Sequence, residues 1–166
     1  MELILVRHAQ PGEGYGYLSE KGIEQAKKLQ STLRPKGYFD GALHFASRMS
    51  RAIATAEIAS PKNFCVDERL NELNNGKDML QTLRILKTGK TPEGFEEILT
   101  QAEIENETFL NDLLSLGMPR AILFTHQFRA ISILMKLHAL ENTASTFWEA
   151  YKKYKLDFAS FTGIKV

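Results

Sequence analysis

The sequence predicts an α/β layered domain on a largely parallel sheet, and three observations carry that prediction. Short apolar runs alternate along the chain with stretches whose apolar residues recur at helical spacing, the pattern of successive strand–helix units. The strand-like runs are continuous rather than alternating, as in strands covered on both faces. Three of the strand-to-helix junctions carry basic or imidazole side chains: Arg7-His8, "SRMSR" at 47–51, and Thr125-His126.

Taken in order, "ELILVRH" (2–8) is a buried strand, followed by a glycine-rich loop. "SEKGIEQAKKLQSTLRP" is a helix, with Ile23, Ala26, Leu29 and Leu33 at helical spacing, Ser19 as its N-cap and Pro35 as its stop. "GALHFAS" (41–47) is a second strand. The helix after it carries Met49, Ala52, Ile53, Ala56 and Ala59 on one face, with Ser47 expected at its N-cap. "NFCVDERL" reads as a third strand with Cys65 buried in it as a small hydrophobe, and "NELNNGKD" as a loop of turn formers.

Residues 78–117 are helical in two pieces divided at "KTGKTPEG", and a polar patch from Glu103 to Glu107 leaves the continuity of the second undecided. "PRAILFTH" (119–126) is another buried strand and "QFRAISILMKLHAL" another helix. "TFWEAYKKY" adds a last helix and "KLDFASFTGIKV" a terminal strand. His44 and His138 read as structural histidines.

At 166 residues, 43% hydrophobic and 25% charged, the chain is expected to form one domain over 1–166. A formal charge of +1 argues against nucleic acid or an anionic membrane as its main partner. Cys65 is the single cysteine, so no internal disulfide forms. The opening apolar run is too short for a signal peptide, and no stretch approaches the length of a membrane span. A cytoplasmic location is expected.

"LVRHAQPGEGYGYLSEKG" (5–22) offers two ways of holding a phosphate. The glycine run fails as a nucleotide loop. A G-x-G-x-x-G started at Gly12 ends on Tyr17 and one started at Gly14 ends on Ser19, and no Gly-Lys-Ser/Thr follows. The alternative is the basic set. In a parallel sheet the three junctions share one edge, where ligands bind. Arg51 lies near the first turn of its helix, so its side chain leans back toward that terminus and any anion held there. Arg7, His8, Arg51 and His126 then converge on one small volume, a cluster that repels itself unless a strong anion fills it. Arg48 and Arg129 read as solvated charges at the rim.

These motifs resemble the histidine phosphatase superfamily, which includes cofactor-dependent phosphoglycerate mutases and small bacterial phosphohistidine phosphatases. Arg7-His8-Ala9 is similar to its opening motif, "LSEKGIEQA" (18–26) to its first helix start, and "SRMSRAIATA" (47–56) to its S-x-x-x-R-A-x-x-T-A. Leu70, Glu72 and Gly76 are similar to its L-x-E followed by glycine, and "ILFTH" (122–126) to its late strand. The resemblance implies a three-layer α/β/α, phosphoglycerate mutase-like fold with 73–117 as a helical cap-like segment.

It also implies a metal-independent phosphatase, with no cofactor, acting on a phosphorylated small molecule or phosphoprotein. His8 is implied as the nucleophile that forms a phosphohistidine, Arg7, Arg51 and His126 as the phosphate pocket, and Glu72 as the general acid, with Glu13 a rival. The acid-phosphatase branch has aspartate directly after the second histidine, where this chain has Gln127. The mutase-like members have an asparagine shortly after Arg-His and a Trp-Glu-Gly after the acid, where this chain has glycines with Tyr15 and "KDM" (77–79). These departures favour a phosphatase over a mutase, and the intact Arg7-His8, Arg51 and His126 set argues against an inactive phosphate-binding module.

Overall fold

The structure is a computed structural model that describes residues 1–73 and 79–166, with the side chains of Tyr15 and Met79 left aside. Gly76, which completes the L-x-E motif, and Lys77-Asp78 lie outside the described residues.

The strands are β1 (Glu2–Arg7), β2 (Ala42–Ala46), β3 (Cys65–Val66), β4 (Arg120–Thr125) and β5 (Phe161–Lys165). The helices are α1 (Glu20–Leu33), α2 (Ser50–Ala59), α3 (Met79–Lys87), α4 (Phe95–Ser115), α5 (Gln127–Leu137) and α6 (Ala144–Tyr154). The strands form one sheet in the order β3-β2-β4-β1-β5. β1, β2, β3 and β4 run parallel, and β5 lies antiparallel against β1 at the edge.

The two faces of the sheet sort by strand alternation. Ile4, Val6, Ile122 and Phe124 pack against Leu29 and Leu33 of α1 and Ala56 and Ala59 of α2. Leu3, Leu5 and Leu123 pack against Phe109, Leu110 and Leu113 of α4 and Ile133 and Leu134 of α5. Helices therefore cover both faces, which is why β1 and β4 are apolar without alternation. α3 and α6 extend the second layer through a cluster in which Phe95, Phe128 and Phe147 meet edge to face at 5.1 to 6.2 Å. That cluster anchors the first turn of α5, the turn that follows His126.

Ser19 caps α1 as expected, accepting from Gly22 N at 3.1 Å. Three expectations are corrected. The N-cap of α2 is Met49, because Ser47 Oγ is engaged elsewhere. The third strand is only two residues long and lies at the sheet edge, so Cys65 is exposed rather than buried. α4, whose continuity the sequence leaves undecided, runs unbroken through Glu103–Glu107, where the acidic residues flank the buried Asn106. The terminal strand starts only at Phe161, and residues 155–160 leave the sheet.

Candidate active site

Strand register assembles the site. Arg7 of β1 stands opposite Thr125 of β4, so the next residues, His8 and His126, leave the sheet together. His8 N donates to Thr125 O at 2.9 Å, and the two imidazoles sit with centroids 5.0 Å apart. Ala46 of β2 stands opposite Phe124, and Ser47 N donates to Phe124 O at 2.9 Å. The three junctions share one sheet edge, as the sequence predicts.

The residues after His8 are tied down by α1 and α2. Ala9 N donates to Thr55 Oγ1 at 2.9 Å. Gln10 N donates to Gln25 Oε1 at 2.9 Å, and Ser19 N donates to Gln10 O at 3.1 Å. A Cβ at position 22 would overlap that same Gln10 carbonyl, so Gly22 is required for the close approach. The glycine run beyond closes on itself, with Gly12 N donating to Tyr17 O at 2.8 Å.

The hydrogen bonds fix both tautomers. His8 Nδ1 lies 2.8 Å from Ala9 O, a pure acceptor, so Nδ1 carries the proton and Nε2 the lone pair. Arg51 Nε donates to that Nε2 at 3.1 Å. Around His126 the assignment starts from a backbone donor. Arg48 N can only donate, so the atom of Asn71 that it meets at 3.0 Å is the oxygen Oδ1. Ser47 Oγ donates to the same oxygen at 2.7 Å and accepts from Met49 N at 3.1 Å. His126 Nε2, 2.8 Å from Ser47 Oγ, is therefore the donor, and the buried Nδ1 has no protein partner.

Arg7 is buried at the floor. Its Nη1 donates to Leu156 O at 2.8 Å, its buried Nε has no protein partner, and its guanidinium lies 4.0 Å from the Phe158 ring centroid. Glu72 sits beside this group. Its Oε1 accepts from Leu73 N at 3.1 Å and, at the start of α5, from Phe128 N at 3.0 Å and Arg129 N at 3.1 Å. Glu13 lies in an exposed turn of the first loop. The structure thus brings together Arg7, His8, Arg51, His126 and Glu72, and leaves Glu13 in solvent.

Burial sets the charge states. Desolvation, reinforced by Arg51 and Arg7, lowers the His8 pKa to about 3 against one opposing hydrogen bond from Ala9. Burial also lowers His126 well below 6.5, with His8, Arg51, Arg129 and Arg7 adding to it. Burial and Lys62 lower His44 to about 4, and its Nδ1 pairs with Ser60 Oγ at 2.5 Å. Glu72 is pushed up by burial, against its backbone hydrogen bonds and Arg51.

The three imidazoles have a stability consequence. Below 6.5 the unfolded chain binds protons that His44 refuses until about 4 and His8 until about 3, and that His126, held well below 6.5, refuses likewise, so stability is lost as pH falls through that window. Glu72 acts in the opposite sense, since its raised value favours the fold at low pH, but it is one group against three. The melting temperature in phosphate-free buffer should fall steadily from pH 7 to pH 4.5. A flat profile there would contradict the neutral, buried imidazoles.

The sequence reading missed several participants. Arg129 is not a rim charge: it is buried, with Nε on Asn71 O at 2.9 Å, Nη1 on Asn106 Oδ1 at 3.1 Å and Nη2 on Glu105 Oε2 at 2.7 Å. It ties α4 to the segment that carries Glu72, and its position three residues after His126 is the signal that places it there. Arg48 is exposed and paired with Glu68, as read. Asn71, beside Glu72 in sequence, orients His126 through Ser47. Gln127 is buried and accepts from Leu156 N through Oε1 at 3.1 Å. Among the described residues no group of three or more His, Cys, Asp or Glu side chains is placed to hold a metal ion. Among them, too, no helix is long and apolar enough to cross a membrane.

Comparison with known proteins gives a family and a set of similar folds. The profile of the histidine phosphatase superfamily (branch 1) matches residues 3–149. No curated protein sequence matches the chain. Solved structures do. A mutant phosphoserine phosphatase from Entamoeba histolytica in complex with phosphoserine aligns with a TM-score of 0.70 at 19% identity, covering 98% of this chain and 89% of its own. A mycobacterial glucosyl-3-phosphoglycerate phosphatase complexed with VO3 gives 0.72 at 19%, covering 99% and 92%. The alpha-ribazole phosphatase from Shigella flexneri gives 0.69 at 18%, covering 100% and 91%.

Proposed function

The chain is an enzyme of the histidine phosphatase superfamily, branch 1, and on that premise we propose that it hydrolyses a small phosphomonoester through a phosphohistidine on His8. The observation that carries this reading is the meeting of a neutral imidazole, two guanidiniums, a second imidazole and a buried carboxyl at one sheet edge. The structural neighbours, phosphatases solved with phosphoserine or VO3, support a compact phosphorylated substrate. In this reading the chain works as one domain, and the first half of α4, where Ile98, Gln101 and Glu105 line a pocket with Glu72, selects the leaving group while its second half packs on the sheet.

The steps follow from the assigned protons. His8 Nε2 holds the lone pair and attacks phosphorus. Arg51 turns its donors from His8 to the phosphoryl oxygens as the ester enters, joined by Arg7. His126 takes up a proton beside the dianion, and its Nδ1 then donates to it. The P–O bond to the leaving group breaks, and Glu72 supplies the proton that oxygen needs. With Oε1 accepting three N–H groups, the mobile proton resides on Oε2. Glu72, now a carboxylate, takes a proton from water as the water attacks phosphorus. The P–N bond breaks, and orthophosphate and neutral His8 remain.

The test is hydrolysis of p-nitrophenyl phosphate in excess EDTA. Turnover within about twofold of the EDTA-free rate is expected, because every group in the scheme is a side chain of the protein. Loss of turnover on chelation would overturn the scheme.

A further inference from the structure

Resting on that phosphatase reading, we propose that Phe158 is a positioning residue of the phosphate pocket, acting through Arg7. The segment between α6 and β5 closes over the end of β1. Arg7 N donates to Ser160 O at 3.1 Å, and Ala159 N is shared between Arg7 O at 3.1 Å and His8 O at 3.3 Å. Arg7 Nη1 donates to Leu156 O at 2.8 Å, and the guanidinium carbon lies over the Phe158 ring, 4.0 Å from its centroid. The same ring packs on His8 with centroids 5.6 Å apart. The segment is itself held, by Gln127 Oε1 accepting from Leu156 N at 3.1 Å. Ala159 adopts a left-handed φ of 52°, a conformation that a non-glycine residue keeps only where its surroundings fix it.

Geometry assigns the ring its task. One hydrogen bond from Nη1 leaves a guanidinium free to pivot about that bond, and an aromatic face laid against its plane stops the pivot. The ring also keeps water from the plane, where a desolvated cation–π contact is strongest. The buried Nε of Arg7, which meets no protein partner, is then held in place to meet a phosphate. Phe158 joins none of the hydrophobic clusters among the described residues, whereas its neighbours Ala159 and Phe161 pack on the cluster beneath the sheet. Filling the core is therefore not what holds this ring in place.

The experiment compares Phe158→Leu and Phe158→Tyr with wild type. Affinity for inorganic phosphate is read by calorimetry and turnover with p-nitrophenyl phosphate, and melting temperatures are taken alongside. Phe158→Leu should weaken phosphate binding and raise KM about tenfold with kcat changed less than about threefold, while Phe158→Tyr, which keeps the π face, stays within about threefold of wild type on both. In an Arg7→Lys background the leucine substitution should cost less than about threefold, because its effect runs through the guanidinium. Phe158→Met carries the same test should the leucine variant not fold. Unchanged phosphate affinity in a folded Phe158→Leu, or a full effect retained on Arg7→Lys, would overturn the inference alone. A wild type that neither binds phosphate nor hydrolyses the ester would overturn the phosphatase reading and this inference with it.

Discussion

His8→Ala is expected to lower kcat for p-nitrophenyl phosphate by on the order of 10⁴-fold or more, with the melting temperature near that of wild type. The size follows from the role: without an imidazole at the end of β1 no phosphoryl acceptor remains, and water must attack the ester directly. Arg7, Arg51 and His126 stay in place, so inorganic phosphate should still bind. The hydrogen bonds also specify the atom. Nδ1 is committed to Ala9 O, so the label trapped by rapid quench in alkali should sit on Nε2 of His8. The same quench of His8→Ala should yield no labelled protein. Activity that survived the substitution would move the nucleophile elsewhere and dissolve the covalent scheme.

Glu72→Gln should lower kcat by about 10²- to 10⁴-fold for an alkyl phosphate, the ordinary worth of a positioned general acid. For p-nitrophenyl phosphate, whose leaving group departs without a proton, the phosphorylation step should be nearly spared, so the variant should release a burst of nitrophenolate and then turn over slowly because water still lacks its base. Glutamine retains an acceptor for the backbone N–H groups of Leu73, Phe128 and Arg129, so the start of α5 keeps its cap and the effect reads the proton alone. Glu13→Gln should leave both substrates unaffected, and this comparison decides between the two carboxyls. The pH profile supplies a second reading. Burial raises the Glu72 pKa, so the protonated acid persists above the usual carboxylate range and kcat falls as pH rises through that raised value. In the profile of kcat/KM, which reports the free enzyme, the acid limb is expected well below 6.5, because burial with Arg51 and Arg7 holds His8 neutral down to about 3. Glu72→Gln should remove the alkaline fall and leave the acid limb where it was.

The parts of the site legible in the sequence are those that the strand ends impose. Apolar runs located β1, β2 and β4, parallel order put their carboxyl ends on one edge, and Arg7, His8, Arg51 and His126 followed. What escaped was long-range and polar. Nothing local in "LDFASF" says that Phe158 will lie against Arg7, 151 positions earlier. Arg129 read as solvated because most arginines are, and its burial depends on Asn106 and Glu105 arriving from α4. Cys65 was misjudged for a related reason. Its apolar neighbours suggest a strand, yet burial depends on what packs over a strand, and this one has two residues at the sheet edge.

The position of β1 in the sheet governs how the site comes into being. Its partners, β4 and β5, are both drawn from the far end of the chain, Glu2 meeting Arg120 on one side and Lys165 on the other. Closing such wide loops is entropically slow, so local helices such as α1 form well before the central strand is seated. Recovery of catalysis after dilution from denaturant should accordingly lag the return of far-ultraviolet ellipticity. During synthesis Arg7 and His8 emerge well before Arg120 and Lys165, and they stay chemically idle until both partner strands of β1 have been made.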